Sequence, residues 1–322
     1  MVDRSPPRRR PGVGVLNNAL TRPLVSVVIP TLGRETLQAA INSVASQTYR
    51  PIETIVVFDG VKPRSFDLPE VRCLHLAERG GVSRARNQGI ESSRGAIVAF
   101  LDDDDMWRPN FLERLVTALV MSGPRVASVD AGFDLWDGRQ LVDRHIPRSE
   151  RRLPADLIAR PSIWPSTLVI RREALDEVGH FDPSLPHDED TDLYVRLLSK
   201  GWALNPLSEV LADRALHVRS PQATLSLYEA TTYRFEHFLE QLSPADRRRA
   251  ASLREFDLGV LQIQLGNRKQ GIASVLKAWL ARPLYVRPLL QLARVLLGER
   301  WWALASRWRD RIKGAFIRWR GE

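Results

Sequence analysis

The sequence predicts an α/β fold, in which a mostly parallel sheet carries helices on both faces and a helical region follows at the C-terminus. Two observations lead to this prediction. Short β-branched runs alternate with segments of helical period up to about residue 125. From Ser220 onward, the strand-like runs give way to the spacing of helices.

The first strand is predicted at 24–29, a β-branched run that Pro30 closes, and the first helix at 36–47. Further strands are expected at 52–58, 71–76 and 96–101, and further helices at 83–92 and 109–121. Alternation at this spacing is typical of parallel strands joined by helices. Ligands of such sheets bind beyond the carboxyl ends of the strands, so the residues that follow each strand are candidates for a site.

Beyond residue 125 the pattern is looser. Short strands are expected at 126–129, 168–170 and 207–211, and a helix at 188–198. Ser243 followed by Pro244 predicts a helix start, and residues 256–280 faintly suggest a helical hairpin. We divide the chain into a disordered basic arm (1–23), an α/β domain (24–220) and a helical C-terminal region (221–322).

Composition limits the class of protein. The net charge is +9, and nearly all of the positively charged residues are arginines. This surplus indicates an anionic partner or simply a general preference for arginine. The single cysteine, Cys73, excludes a disulfide framework within one chain. No apolar stretch reaches the roughly 18–20 residues of a membrane span, and the N-terminus lacks the apolar core of a signal peptide. We therefore expect a cytoplasmic protein, or one attached to a membrane without crossing it.

The strongest local feature is the run of four aspartates at 102–105, directly after a predicted strand. Adjacent carboxylates repel one another unless a cation is bound, and hard oxygen ligands suit Mg²⁺ or Mn²⁺. Alternate residues of an extended segment point the same way, so Asp102 and Asp104 are expected to form a pair. The alternative is an acidic helix start, which the helix dipole favours.

Four other features are candidates for the same site. Asp59 ends another strand, although Asp-Gly is also a turn signal. The glycine turn at 80–81 leads into a helix with Arg86, where amides and a guanidinium could meet a phosphate. The acidic cluster at 187–192 could supply a general base or only begin a helix. His217 could bind a ligand, although a lone histidine is more often structural.

Together these segments resemble family 2 glycosyltransferases with the GT-A fold. The matching segments keep the family's order and spacing: 25–31, 43–49, 53–60, 81–89, 100–107, 179–182 and 189–201. The resemblance covers about residues 24–220, and the ordered set is highly specific. It implies a metal-dependent, inverting enzyme that moves a sugar from a nucleotide-diphosphate sugar to an acceptor hydroxyl, in polysaccharide or glycolipid synthesis.

The resemblance also implies the roles of individual residues. Asp190 matches the catalytic base. The residues that match donor-nucleotide contacts are Thr31, Asp59, Arg86, Asp102 and Asp103. Those that match ligands of Mn²⁺ or Mg²⁺ are Asp104, Asp102 and, more loosely, His217. Leu32 stands where the family often has an aromatic residue that stacks on the base, which leaves the identity of the base open.

The C-terminal end lies outside the resemblance. Trp301, Trp302, Trp308 and Trp319 are interleaved with arginines there. This composition suits an anionic lipid interface, so we expect peripheral attachment to the cytoplasmic face of the inner membrane. The alternative is that the tryptophans pack on the catalytic domain.

Three other classes of protein fit the sequence less well. A basic nucleic-acid-binding protein fits the charge but not two carboxylate clusters, which repel phosphate, and we expect no nucleic-acid partner. A nucleotidyltransferase would need a glycine- and lysine-rich loop after its first strand, which 30–34 is not. A GT-A protein that binds nucleotide sugars without catalysis is opposed by the intact Asp104 and Asp190. The expected partners are a nucleotide-sugar donor and a saccharide or lipid-linked acceptor, whose identities the sequence leaves open.

Overall fold

The structure is a computed structural model, which describes residues 22–63, 71–147, 152–160, 162–217, 220, 222–226, 235–283, 288, 290 and 292. The predicted basic arm lies outside these residues except for its last two positions, and the tryptophan- and arginine-rich end lies wholly outside them. Within the described part of the chain, no helix combines the length and apolar character that crossing a membrane requires.

The described strands form one nine-stranded sheet. Its first part is parallel, in the order β3-β2-β1-β4, and consists of β1 (Val25–Thr31), β2 (Ile52–Asp59), β3 (Val71–Leu76) and β4 (Ile97–Phe100). The helices that alternate with these strands are α1 (Leu37–Ala45), α2 (Val82–Ser92) and α3 (Phe111–Met121). The predicted strands and helices of this half are confirmed, with boundaries that differ by a few residues.

The second part of the sheet is mixed. It contains β5 (Met106–Trp107), β6 (Val126–Asp137), β7 (Gln140–His145), β8 (Leu168–Arg171) and β9 (Ala203–Ala215). β8 lies between β4 and β6 and is antiparallel to both, and β9 pairs parallel to β6. β5 pairs antiparallel to β9, and β7 pairs antiparallel to β6. The α/β fold is therefore confirmed, while its parallel pairing is confined to β1–β4 and the β6–β9 pair.

Three helices accompany this part: α4 (Pro154–Ala159), α5 (Arg172–Val178) and α6 (Glu189–Ser199). α6 confirms the helix expected at 188–198. The sequence analysis did not predict β5, β7, α4 or α5. β7 is largely exposed and has no alternating apolar face, so only its backbone pairing with β6 makes it a strand.

Alternating residues of the central strand divide the core between the two faces of the sheet. Val27 and Ile29 of β1 join the cluster that packs with α1 and α3, while Val28 joins the cluster on the α2 side. β1, β2 and β4 run parallel, so their carboxyl ends lie at one edge. Thr31, Asp59 and the aspartates after Phe100 are thereby brought together.

The C-terminal region is helical, as expected, with α7 (Glu236–Gln241), α8 (Pro244–Gln264) and α9 (Arg268–Ala281). Ser243 caps α8 by accepting a hydrogen bond from the Asp246 amide at 3.1 Å. α8 and α9 pack closely, because a Cβ on Gly259 would lie 2.7 Å from the carbonyl oxygen of Gly271. An ion pair between Arg160 and Asp257 ties α8 to the segment after α4.

Candidate active site

A cavity of about 420 Å³ opens at the carboxyl edge of the parallel strands. Seven of the eight predicted site residues line it: Thr31, Asp59, Arg86, Asp102, Asp103, Asp104 and His217. Arg34 and Arg79, which the sequence reasoning did not select, also line it. Asp190 is not among the lining residues; its neighbour Glu189 is hydrogen-bonded to Arg86, which is one of them.

Residues 102–105, here called the acidic loop, form a hydrogen-bonded turn. The Asp105 amide donates to the Asp102 carbonyl at 3.1 Å. The expectation that Asp102 and Asp104 pair as alternate residues of an extended segment is therefore wrong, because the backbone turns here. Each aspartate instead meets a different partner.

Asp102 lies against the α2 helix. Its Oδ1 accepts a hydrogen bond from Arg86 Nη2 at 2.8 Å, and its amide donates to Ser166 Oγ at 3.1 Å. Burial opposes ionisation of Asp102, but Arg86 outweighs burial and holds the pKa of this carboxyl below its usual value. Asp102 is thus a fixed anion at the inner wall of the cavity.

Asp103 and Asp104 face the loop after β1. Thr31 Oγ1 donates to Asp103 Oδ2 at 2.5 Å, and burial raises the pKa of Asp103 despite this bond and the nearby Arg34. Arg34 Nη1 contacts Asp103 Oδ1 at 3.3 Å and also pairs with Asp104. His217 Nε2 lies 3.1 Å from Asp104 Oδ2. Asp104 is therefore the aspartate of the loop that contacts both a guanidinium, of Arg34, and an imidazole, of His217.

Asp105 points away from the cavity and anchors β9. Its carboxylate accepts hydrogen bonds from Arg214 Nε at 3.1 Å and from the Ala215 amide at 3.0 Å. Burial raises the pKa of Asp105 to about 6, although Arg214 opposes that effect. This bonding holds the end of β9, and with it His217, beside the acidic loop.

Asp59 organises the turn before α2. Its carboxylate accepts hydrogen bonds from the amides of Gly80, at 2.6 Å, and Gly81, at 2.9 Å. Gly81 has φ of 84°, a conformation that favours glycine. The two amides that the sequence offered as phosphate contacts are therefore engaged by Asp59. Asp59 still lines the cavity, with its position set by the turn it holds.

Arg86 connects the two acidic clusters. Its guanidinium donates to Asp102 at 2.8 Å and to Glu189 Oε1 at 2.7 Å, and it lies 5.2 Å from the ring centre of Phe181. The side chain is only 4% exposed. Asp102 and Glu189 are far apart in sequence, so no local pattern could have shown that one buried arginine joins them. Glu189 was seen only as part of an acidic helix start.

Asp190 lies in the first turn of α6. Its Oδ1 accepts a hydrogen bond from the Thr191 amide at 2.6 Å. Burial raises the pKa of Asp190 to about 7, the neighbouring charge of Glu189 adds to the increase, and Arg86 opposes it. Among the described non-glycine residues, Asp188 alone has a positive φ, 60°, and this backbone turn directs the start of α6.

The described residues contain no cluster of three or more His, Cys, Asp and Glu side chains that could hold a metal ion by themselves. Asp104 and His217 nevertheless lie together at the cavity wall. A carboxylate and an imidazole suit Mn²⁺, and Mg²⁺ is commonly bound by one or two carboxylates together with substrate phosphates. The residues present therefore fit a cation that shares its coordination with a bound diphosphate.

Comparison with known sequences identifies related proteins. The family described as Glycosyl transferase family 2 matches residues 26–179. An uncharacterized glycosyltransferase of Rickettsia typhi is 28% identical over 232 residues, 69% of this chain and 73% of the relative. Glycosyltransferase AglE of Haloferax volcanii is 28% identical over 202 residues, 59% of this chain and 66% of that protein. The chain covers only 31% of a Rickettsia felis uncharacterized glycosyltransferase, at 30% identity.

Solved structures show the same fold. TarS of S. aureus, residues 1–349 in complex with UDP-GlcNAc, has a TM-score of 0.54 and 20% identity, covering 80% of this chain and 81% of that one. The mannosyltransferase PcManGT from Pyrobaculum calidifontis, in complex with GDP-Man and Mn²⁺, has a TM-score of 0.56 and 17% identity, covering 88% and 84%. With its GT-A architecture and its match over residues 26–179, the chain contains a glycosyl transferase family 2 domain.

Proposed function

We propose that this chain is an inverting, metal-dependent glycosyltransferase that moves a sugar from a nucleotide-diphosphate sugar to an acceptor hydroxyl. The observation that carries the proposal is the Arg86 bridge between Asp102 and Glu189. This bridge joins the acidic loop, which suits a donor diphosphate and its cation, to the turn of α6 that carries Asp190, and so supports a donor site near the proposed base. UDP-GlcNAc and GDP-Man in the complexes of the structural neighbours support a nucleotide-sugar donor.

In this proposal the donor occupies the cavity of about 420 Å³, with its nucleoside toward Thr31 and Asp59 and its diphosphate toward the acidic loop. Asp102 and Asp103 are suited to accept hydrogen bonds from ribose hydroxyls, because both are carboxylates held by donors behind them. Arg34, at the cavity wall, is suited to a phosphate because its charge complements the diphosphate.

Asp104 and His217 are the residues that would hold Mn²⁺ or Mg²⁺. When bound, such a cation stabilises the negative charge that develops on the departing diphosphate. Mn²⁺ in the PcManGT complex supports this part of the proposal. With these two protein ligands, the remaining coordination would come from diphosphate oxygens and water.

Asp190 is proposed to act as the general base. It takes the proton of the acceptor hydroxyl while that oxygen attacks the anomeric carbon, and the bond from that carbon to the phosphate oxygen breaks with its electron pair leaving on the nucleoside diphosphate. A pKa of about 7 suits this role, since a base works best when its pKa is near the working pH. Attack from the face opposite the leaving group inverts the anomeric centre.

A donor panel of UDP- and GDP-sugars, assayed with Mn²⁺ and simple saccharide acceptors, tests the proposal. Asp190→Asn is expected to abolish transfer while leaving binding of the nucleoside diphosphate unchanged. Asp104→Ala is expected to weaken Mn²⁺-dependent binding of that diphosphate in calorimetry. Asp246→Asn, also in the first turn of a helix but on α8, is the matched control and should behave like wild type. Full transfer by Asp190→Asn would refute the assigned base.

The acceptor and the location of the enzyme form a second part of the proposal. The tryptophan- and arginine-rich segment near 301–320 suits an anionic membrane surface, where a lipid-linked saccharide acceptor would be presented. Flotation with anionic vesicles compares the full chain with a chain ending at residue 298. Only the full chain should float, and the binding should weaken in high salt. Equal flotation of both chains would contradict membrane attachment through this segment.

A further inference from the structure

Tyr194 presents a buried hydroxyl that the described structure leaves without a hydrogen bond. The residue lies on α6 and is 2% exposed. Its hydroxyl oxygen has no partner within hydrogen-bond distance. Burying a hydroxyl without a partner is unfavourable, and such groups are rare enough in folded proteins to require a reason.

The position of Tyr194 relative to Asp190 suggests the reason. The two residues are four apart on α6, and side chains at this spacing lie on the same face of a helix. A long side chain in a helix also leans back over the preceding turn, which here is the turn that carries Asp190. Among the charged groups around the hydroxyl, Asp190 has the largest effect on the pKa of Tyr194, ahead of Arg86 on α2 and Asp130 on β6.

The carboxylate of Asp190 has room for a further donor. Its hydrogen bonds from Thr191, the amide at 2.6 Å and the hydroxyl at 3.4 Å, both end on Oδ1. The charged groups that act on the pKa of Asp190 are Glu189 on its own helix, Asp188 at the N-cap of that helix and Arg86 on α2. Of these, only Arg86 can donate, and its guanidinium is already bonded to Glu189 and Asp102.

We propose that Tyr194 is a positioning residue for the base, whose hydroxyl donates a hydrogen bond to the ionised carboxylate of Asp190 when the acceptor is bound. The proposal rests on the assignment of Asp190 as the base. Burial and the surrounding carboxylates raise the pKa of Tyr194, so the phenol stays protonated and available as a donor at neutral pH. The hydroxyl therefore orients the carboxylate and stabilises its charged form.

A different partner would make Tyr194 purely structural. Asp130 on β6 also has a buried oxygen, Oδ1, for which the described part of the chain shows no hydrogen-bond partner, while its Oδ2 accepts a hydrogen bond from Arg152 at 2.6 Å. If a small movement joined the Tyr194 hydroxyl to Asp130, the bond would stabilise the fold and leave the base unaffected. The two possibilities predict different results for the same substitution.

The test substitution is Tyr194→Phe, which removes the hydroxyl and keeps the ring. We expect kcat to fall about tenfold, with the KM for the acceptor and the affinity for the nucleoside diphosphate unchanged. The acidic limb of the pH–rate profile should move to higher pH, because the carboxylate loses a donor that favours its charged form. The melting temperature should stay the same or rise, because the resting protein loses no hydrogen bond.

The chain offers a matched control in Tyr49, which is buried to the same 2% but donates its hydroxyl to the Pro23 carbonyl at 2.6 Å. Tyr49→Phe should lower the melting temperature and leave kcat and the pH profile unchanged. Asp130→Asn should leave the acidic limb in place. A limb that moves as far in Asp130→Asn as in Tyr194→Phe would overturn the proposal, because the hydroxyl would then act through Asp130.

Two further outcomes would also overturn it. One is a wild-type kcat and pH profile in Tyr194→Phe. The other is a loss of thermal stability like that of Tyr49→Phe, with activity falling only in proportion to the folded fraction. Asp190→Asn separates this inference from the proposed function. If that variant still transfers sugar, the base assignment fails; if it is inactive while Tyr194→Phe is normal, only the role of Tyr194 fails.

Discussion

The pH dependence of sugar transfer follows from the surroundings of Asp190. An ordinary aspartate has a pKa near 4 and is fully ionised throughout the neutral range. Burial and the charge of Glu189 raise the pKa of Asp190 to about 7, so a large fraction of the protein carries a protonated base at neutral pH. The rate of transfer should therefore rise with pH through neutrality.

The size of the effect can be worked from this pKa. With a pKa of about 7, the ionised fraction of Asp190 is about 9% at pH 6 and about 91% at pH 8. The value of kcat/KM for the acceptor should therefore rise about tenfold between pH 6 and pH 8. An aspartate with an unshifted pKa would change by less than about 2% over the same range.

A substitution tests the physical cause of the shift. Glu189→Gln removes the negative charge next to Asp190. It also leaves the positive charge of Arg86 less neutralised. Both changes favour the ionised form of Asp190. The acidic limb should move to lower pH in this variant. Glu173→Gln, in the first turn of α5, is the matched control and should leave the limb unchanged.

The assay measures initial rates of saccharide formation at saturating donor and fixed Mn²⁺, with product separated by chromatography from pH 5.5 to 8.5. Binding of the nucleoside diphosphate, followed by calorimetry over the same range, shows whether the donor contributes to the profile. A rate that is flat from pH 6 to pH 8, with donor binding also flat, would refute the reasoning. So would an acidic limb that moves to higher pH in Glu189→Gln.

Three further predictions concern stability. Folded Asp190 keeps its proton to about pH 7, whereas an unfolded aspartate loses it near pH 4, so the free energy of unfolding should fall by about 1 kcal/mol per pH unit from pH 5 to pH 7 through this group. In Asp190→Asn the melting temperature should depend less on pH between pH 5 and pH 7, and an unchanged pH dependence would contradict the assignment. Asp105→Ala should cost about 2–4 kcal/mol in urea unfolding, because the partly buried Arg214 and the Ala215 amide both lose their hydrogen-bond acceptor; a loss under about 0.5 kcal/mol would show that β9 is held otherwise. Gly89→Ala should cost about 1–3 kcal/mol, since its Cβ would lie 2.2 Å from Val28 Cγ1, whereas Gly123→Ala meets open space and should cost nothing; equal melting temperatures would contradict the packing argument.

Much of the fold could be predicted from local sequence patterns. The apolar run of β1 and the helical period of α1 depend on residues close in sequence, and both elements were predicted within a few residues. β7 was missed because its residues are mostly exposed and carry no alternating face. The antiparallel insertion of β8 between β4 and β6 was missed for a different reason, since strand order depends on pairing between distant segments.

The candidate site divides in the same way. The aspartates at the ends of β2 and β4 were predicted to lie together, because the carboxyl ends of parallel strands meet at one edge. The individual role of each aspartate could not be predicted from the sequence. Whether Asp102 pairs with Asp104 depended on the backbone being extended, and the turn at 102–105 instead directs Asp105 inward to Arg214.

By itself, the sequence determined which residue types stand at the strand ends, and the ordered motifs were enough to identify the family. Only the tertiary structure determined that Arg86 joins Asp102 to Glu189, that the pKa of Asp190 is raised to about 7, and that the Tyr194 hydroxyl is buried without a hydrogen-bond partner among the described residues. The physical reason is that burial and ion pairing arise from side chains that the fold brings together from distant parts of the chain. Periodicity and spacing report only on neighbours in sequence.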